Sequence, residues 1–142
     1  KPLERQHFEQ LVGLAAEVTW STDQVIFREG ERDDRLYLVL EGRVALEIYM
    51  PNRGRVTILT IGPDEIFGWS AAVPFVQKRT ASARAAQPTR AVVFDAAALR
   101  AACEQDHDLG YYVYRRLTNV IAGRLTATRL QLLDMYSVEQ KG

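Results

Sequence analysis

Short apolar segments divided by glycine turns run through the middle of the chain, and they constrain its fold more than any other feature. Residues 35–40 are almost continuously apolar. In the next segment, large apolar side chains alternate with other residues: Val44, Leu46, Ile48 and Met50 with Arg43, Ala45, Glu47 and Tyr49. Val56, Ile58 and Thr60 alternate in the segment after it. The turns between these segments are Glu41-Gly42 and Pro51-Asn52-Arg53-Gly54. Alternation with a period of two is typical of β-strands that bury one face. Short strands at this spacing predict a mainly β fold, either a sandwich or a jelly-roll barrel.

Other strands and a first helix are expected around these segments. Residues 3–17 place apolar side chains at helical spacing and predict a lead-in helix. The barrel is expected to span residues 20–95 and to end in a hairpin of residues 79–86 and 90–94. The turn of this hairpin is predicted at Gln87-Pro88, because proline followed by a strand pattern favours a turn.

Two C-terminal helices are predicted over residues 96–136. Asp95 can cap the first, which is rich in alanine, and Asp106 or Asp108 can cap the second. From Leu109 onward, apolar side chains recur every three or four residues over about 28 residues, or about 42 Å of helix. Because this length exceeds the span of a small barrel, part of the last helix is expected to pack against another surface.

The composition is that of one soluble domain. The chain has 142 residues, and its 18 basic and 18 acidic side chains cancel, so nothing indicates nucleic-acid binding. Cys103 is the only cysteine, which excludes an internal disulfide, and no apolar run approaches the roughly 20 residues needed to cross a membrane. We therefore expect residues 1–142 to form a single cytoplasmic domain.

Catalytic and metal-binding chemistry have little support in the sequence. His7 and His107 are the only histidines and are far apart in sequence, so a metal-dependent enzyme is not expected. Cys103 has no activating neighbour and is interpreted as a buried, inert thiol. Four acids are interpreted as lining a solvated turn: Glu29, Glu31, Asp33 and Asp34. No catalytic residue, metal ion or cofactor is predicted.

A glycine turn and a later arginine form a candidate anion site. The turn lies in Phe67-Gly68-Trp69-Ser70-Ala71-Ala72, and Arg79 follows Trp69 by ten residues. Gly68 permits a tight turn and close approach of a ligand to the backbone, and free N–H groups at the start of a following helical turn attract anions. Arg79 offers a fork of donors that matches phosphate oxygens, and Thr80 adds a hydroxyl beside it.

These motifs resemble the phosphate-binding cassette of the cyclic nucleotide-binding domain family, which includes the sensor domains of catabolite activator protein-like regulators. The resemblance places the cassette at residues 62–82, extends to Gly30 and Gly42, and covers roughly Leu3 to Tyr136. It implies a double-stranded β-helix, or jelly roll, with an N-terminal helix and a long C-terminal helix.

The resemblance also implies a ligand and a partner. The ligand is expected to be a cyclic nucleotide, cAMP or cGMP, or another small anion. Residues 109–136 are expected to pair with a second copy in a homodimer while covering the ligand. The ligand contacts implied by the resemblance are Phe67, Gly68, Trp69, Ser70, Ala71, Arg79, Thr80 and Thr128.

Trp69 departs from the family pattern, because the family has an acid there that holds the ribose 2′-hydroxyl. Loss of this acceptor predicts binding weakened by about 1–3 kcal/mol, or roughly 5- to 150-fold. The buried cation of Arg79 needs a counterion. Either a phosphate or carboxylate ligand supplies it, or an internal acid such as Glu65 or Glu47 neutralises Arg79. Thr128 is either a contact of the base or a small residue at a helix seam.

The sequence therefore predicts a regulatory, non-catalytic domain for signal transduction that senses a small anion with altered or weakened specificity. One alternative is a dimerisation or docking module with a vestigial pocket. Another is the sensor half of a transcription regulator. Such regulators carry a helix-turn-helix after the long helix, whereas this chain ends at Gly142. We therefore expect a lone domain or a fragment that binds neither nucleic acid nor membrane by itself.

Overall fold

The computed structural model describes residues 5–69 and 78–141. Within them the elements follow in the order α1 (Arg5–Gly13), β1 (Ala15–Trp20), β2 (Val25–Phe27), β3 (Arg35–Glu41), β4 (Val44–Met50), β5 (Gly54–Ile61), β6 (Ile66–Phe67), β7 (Ser82–Ala85), β8 (Thr89–Asp95), α2 (Ala96–Gln105) and α3 (His107–Lys141). The strands form two antiparallel four-stranded sheets in the orders β1-β8-β3-β6 and β2-β7-β4-β5. The fold is the predicted jelly roll with an N-terminal helix and a long C-terminal helix.

The connection between β7 and β8 differs from the predicted hairpin. The two strands belong to different sheets, so the prediction that residues 79–86 pair with residues 90–94 is wrong. The chain crosses from one sheet to the other between β7 and β8, next to the place where it crosses between β3 and β4. A hydrogen bond from Ala86 N–H to the Arg43 carbonyl, at 2.9 Å, joins the two crossings. Gly42 makes this corner possible, since a Cβ there would lie 2.5 Å from the Pro88 carbonyl oxygen.

The N-terminal helix is shorter than predicted. It ends at Gly13, and Ala15 begins a strand that pairs with β8, so the boundary predicted at residue 17 is wrong. Pairing across six residues, from Ala15 opposite Phe94 to Trp20 opposite Thr89, satisfies backbone groups that a longer helix would otherwise satisfy internally. The first two residues of the predicted helix, 3 and 4, lie outside the described residues.

Two apolar clusters lie on opposite faces of the sheet that contains β3. The first, here called the barrel core, lies between the two sheets and includes Trp20, Phe27, Tyr37, Val39, Val44, Leu46, Ile61, Phe67, Ala83 and Ala91. The second, here called the helical core, includes Leu36, Leu99, Cys103, Leu109, Val113 and Leu117. Leu36 and Tyr37 are neighbours in β3 and enter different clusters because successive strand side chains point to opposite faces.

The C-terminal helices begin at predicted caps. Asp95 accepts hydrogen bonds from the backbone N–H groups of Ala97 and Ala98, and Asp106, rather than Asp108, accepts from Leu109 N–H at 3.2 Å. Helix α3 has 35 residues, which exceeds the predicted length. Among the described helices, none combines the length and apolar character needed to cross a bilayer.

Candidate functional site

Gly68 follows β6 and forms the turn at the centre of the candidate site. Its backbone has a φ of +81°, in the left-handed region that favours glycine. A Cβ at this position would lie 3.0 Å from both the Arg35 carbonyl oxygen and Nη1 of Arg79. Gly68 therefore serves two purposes, since it permits the turn and leaves room for the guanidinium.

Arg79 is buried against this turn. Its Nη1 donates to the Gly68 carbonyl at 2.8 Å, and its Nη2 donates to the Arg35 carbonyl at 2.6 Å. The guanidinium carbon lies 4.0 Å from the centroid of the Phe27 ring, a cation–π arrangement. The side chain is 1% exposed, so its charge requires compensation from within the protein or from a ligand.

Asp33 provides this compensation in the structure. Its Oδ2 lies 3.1 Å from Nη2 of Arg79, and its side chain is 9% exposed. The interpretation of all four acids of residues 29–34 as a solvated turn is therefore wrong for Asp33, while Asp34 is exposed. An internal acid does pair with Arg79, as one of the two predicted alternatives has it, but this acid is Asp33 and not Glu65 or Glu47. Glu65 accepts from Gly62 N–H at 2.7 Å instead, and Glu47 pairs with Arg84 at 2.9 Å.

Several hydrogen-bond donors besides Arg79 surround the Asp33 carboxylate. Its Oδ1 accepts from the backbone N–H and from Nε of Arg35, both at 3.1 Å, and the Tyr37 hydroxyl lies 3.5 Å from Oδ2. Burial raises the pKa of Asp33, but the hydrogen bonds and charges of Arg79 and Arg35 outweigh it and hold the pKa below its ordinary value. Burial, followed by the charge of Asp33, raises the pKa of Tyr37 to about 12. Asp33 is therefore ionised and Tyr37 neutral at neutral pH.

Trp69 lies on the other side of the turn. It is half-buried and packs against the helical core, whereas Phe67, two residues earlier, is fully buried in the barrel core. The segment on which the sequence predicts a cassette therefore joins the two clusters through Gly68. A ring of this size on the helical core contributes packing that a carboxylate in its place would not.

Arg124 is a further cation near this segment that the sequence motifs did not indicate. It extends from α3, its Nη2 donates to the Ile66 carbonyl, and its Nη1 is buried without a hydrogen-bond partner among the described residues. Burial lowers the pKa of Arg124, although the charge of Glu65 partly opposes this effect. The one signal in the sequence that could have indicated Arg124 is its position in α3, one helical turn before Thr128.

Of the other ligand contacts predicted from the sequence, the structure describes the side chain of Thr80 but not those of Ser70, Ala71 and Thr128. Thr80 is exposed beside Arg79. Ser70 and Ala71 lie outside the described residues, and Thr128 belongs to α3 with a side chain that is likewise outside them. No cluster of three or more potential metal ligands occurs in residues 5–69 and 78–141. Cys103 is buried as expected, and burial raises the pKa of its thiol.

Comparison with known proteins identifies the family. Residues 17–106 match the family model described as the cyclic nucleotide-binding domain. This match includes the Asp33 loop, the Gly68 turn and Arg79, and it spans most of the chain. The chain belongs to the cyclic nucleotide-binding domain family. The resemblance read from the cassette is thereby confirmed.

Relatives of this cyclic nucleotide-binding domain include sensors and regulators. A cyclic nucleotide-binding domain from Methylobacillus flagellatus is 25% identical with a TM-score of 0.85, covering 95% of this chain and 75% of that one. The catabolite activator protein of Thermus thermophilus is also 25% identical, with a TM-score of 0.75, covering 95% of this chain and 61% of that one.

A curated relative is the CRP-like cAMP-activated global transcriptional regulator of Mycobacterium tuberculosis, which is 32% identical over 126 residues. The match covers 88% of this chain but 54% of the regulator, so the chain spans about half the length of that relative.

Proposed function

We propose that this chain is a regulatory ligand-sensing domain that binds a phosphate-bearing molecule of the cyclic nucleotide class at the Gly68 turn and Arg79. The observation that carries the proposal is a buried guanidinium held against a glycine turn in the cassette segment. A guanidinium edge matches two phosphate oxygens, and in this structure Nη1 and Nη2 donate to the Gly68 and Arg35 carbonyls, so a phosphate would take their other N–H groups or replace these acceptors. The domain is expected to be non-catalytic and cytoplasmic, and its ligand contacts include Phe67, Thr80 and, outside the described side chains, Ser70, Ala71 and Thr128.

Arg124 supports the same proposal. A buried nitrogen without a protein partner in the described residues is a donor that a ligand oxygen can satisfy. Because Arg124 belongs to α3 and also contacts β6, a ligand that binds it would hold the helix against the barrel. A ligand that binds more tightly when α3 lies against the barrel than when α3 lies away from it shifts the population toward the first position. This population shift is the mechanism that we propose for sensing.

Trp69 leads us to propose altered specificity. With its ring on the helical core, it leaves no carboxylate at the position that the family uses for the ribose hydroxyl. cAMP and cGMP are therefore expected to bind more weakly than in relatives that keep the acid. The CRP-like regulator of Mycobacterium tuberculosis is described as cAMP-activated, and cAMP is accordingly the first ligand to test.

We also propose that the chain forms a homodimer through residues 109–136. The first turns of α3 are buried through Leu109, Val113 and Leu117, but three leucines further along are exposed: Leu125, Leu130 and Leu133. Exposed leucines repeated along one long helix are typical of a helix–helix interface.

The second candidate function is an interaction module whose pocket is vestigial. The ion pair of Asp33 with Arg79 favours it, because this pair neutralises the site without a ligand. A third candidate function, the sensor half of a transcription regulator, rests on the similarity to the regulators named above.

Thermal denaturation distinguishes the first two candidates. We expect cAMP, cGMP, a cyclic dinucleotide or inorganic phosphate to raise the melting temperature, since a ligand at 100 times its Kd adds about 2.7 kcal/mol to stability. For a domain of this size, that is a shift of several degrees. If none of these anions raises the melting temperature at millimolar concentration, the vestigial module replaces the sensor.

A further inference from the structure

The inner end of the anion site is occupied by the protein itself. Nη2 of Arg79 is the nitrogen nearest to Asp33, and Oδ2 of Asp33 lies 3.1 Å from it. A carboxylate oxygen and a phosphate oxygen are equivalent acceptors for a guanidinium, so both compete for the same nitrogen. An entering phosphate must then either replace Asp33 or bind next to a second negative charge.

We infer that Asp33 is an internal competitor for the anion site, and that a ligand phosphate binds Arg79 by displacing the Asp33 carboxylate. This inference rests on the proposed function, because it concerns the same site. It assigns Asp33 the role of setting how much ligand is needed for occupancy. Trp69 reduces recognition at the ribose end, and Asp33 reduces it independently at the phosphate end.

The surroundings of Asp33 allow its side chain to leave without moving the loop. Arg79 N–H donates to the Glu31 carbonyl at 2.8 Å, and Gly30 N–H donates to the Arg79 carbonyl at 2.9 Å, so backbone bonds hold the loop on Arg79. Oδ1 of Asp33 is bound by Arg35, whose side chain is 61% exposed. After displacement, the carboxylate would keep this second cation as its partner and gain contact with water.

The same loop is connected to the helices. The Asp34 carbonyl accepts a hydrogen bond from Ala96 N–H, the first residue of α2, at 2.7 Å. A change in the position of Asp33 therefore occurs one residue from a backbone bond to the helical region.

The test compares Asp33→Asn and Asp33→Ala with Asp34→Ala, which removes the same charge from the same loop at an exposed side chain. Binding of cAMP and of inorganic phosphate is measured by titration calorimetry and by the shift in melting temperature. We expect Asp33→Asn to bind cAMP about tenfold or more tightly than wild type. Asp34→Ala should match wild type. Adding Arg79→Ala to Asp33→Asn should abolish the gain.

Asp33→Ala removes the carboxylate that pairs with Arg79. Inorganic phosphate should therefore raise the melting temperature of this variant more than that of wild type. If Asp33→Ala does not fold, Asp33→Asn, which keeps the side-chain shape, decides the outcome. Equal, Arg79-dependent cAMP affinity in wild type and Asp33→Asn would overturn the competitor role while leaving the proposed sensor intact. Absence of binding to every variant would overturn both.

Discussion

The barrel core and the helical core differ in their surroundings rather than in their burial, since the residues that form either core are at most 9% exposed. In the barrel core, the rings of Tyr37 and Phe67 stack with centroids 4.7 Å apart, and Val39 and Val44 are fully buried. The helical core, by contrast, borders an apolar pocket of about 170 Å³ that is partly open to solvent and lies between the sheet, α1 and α3. Further along α3, Leu125 is 70% exposed. Because an open pocket and exposed leucines lower the cost of movement, the change of position that we propose for sensing is assigned to the helices.

The candidate site lies where these two regions meet. Phe67 belongs to the barrel core and Trp69 to the helical core, with Gly68 between them. Arg79 contacts the rigid side, through Phe27 and the Gly68 carbonyl, whereas Arg124 reaches the same segment from α3. A ligand bound at this junction would therefore be held by the barrel on one side and by α3 on the other.

The largest expected effect comes from removing the cation on the rigid side. Arg79→Ala would leave Asp33 with Arg35 as its remaining cation and would remove the guanidinium's bonds to the Gly68 and Arg35 carbonyls; losing one partner of a buried pair costs up to about 3–5 kcal/mol. Denaturant unfolding measures this loss. Arg90→Ala is the control, since Arg90 pairs with Glu17 and Glu41 on an exposed surface and should lose far less stability. Similar losses of stability in the two variants would show that the buried ion pair of Arg79 contributes no more to stability than the exposed ion pairs of Arg90.

The next effect concerns Trp69, on the helical side. If the site lacks only a ribose acceptor, Trp69→Glu should bind cAMP about tenfold or more tightly, because a hydrogen bond to a charged group contributes about 1.5–3 kcal/mol. The 2′-deoxy analogue should gain nothing. Trp69→Ala removes the packing without adding an acceptor and is the matched control. Equal affinities of Trp69→Glu and Trp69→Ala in calorimetry would make Trp69 a packing residue alone.

A third prediction concerns the exposed part of α3. Leu125→Glu should lower the mass measured by light scattering from dimer to monomer, because the substitution places a charge in the proposed interface. Thr126→Glu adds the same charge at an exposed neighbour and should leave the mass unchanged. Circular dichroism verifies that both variants fold. A wild type that is monomeric at high protein concentration would contradict the proposed dimer.

The smallest predicted effect is a dependence on pH. Because the pKa of Asp33 is lowered on folding, its contribution to stability is complete above the ordinary value of 3.8 and is lost as pH falls through the folded value. The stability difference between wild type and Asp33→Asn should therefore shrink on acidification and stay constant around neutral pH. Denaturant unfolding of both proteins across this range measures it. A difference that persists in acid would mean that Asp33 acts through shape rather than charge.

The sequence predicted most of the fold because strand alternation and helix caps are local signals. The Asp95 cap and the β4–β5 hairpin at residues 51–54 are examples. The prediction was wrong where strand pairing depends on contacts between residues that are distant in the sequence. Residues 82–85 and 89–95 have strand patterns, but their separation into two sheets depends on contacts with Arg43 and Gly42.

The candidate site was predictable only in part for the same reason. Gly68 and Arg79 are recognised by residue type and spacing, and the structure brings them together. Asp33 was not distinguished from its acidic neighbours, since its burial depends on the backbone pairing of Gly30 and Glu31 with Arg79, about 48 residues away in the chain. Arg124 likewise acquires its position from the packing of α3 across β6.

Titration calorimetry of cAMP into wild type, Arg79→Ala and Arg90→Ala tests the central claim most directly, namely that the Arg79 end of the junction binds a ligand phosphate. We predict saturable binding to wild type and Arg90→Ala with the same affinity, and binding to Arg79→Ala weakened by about tenfold or more. Equal binding by wild type and a folded Arg79→Ala would contradict the account, as would the absence of binding to wild type at millimolar cAMP.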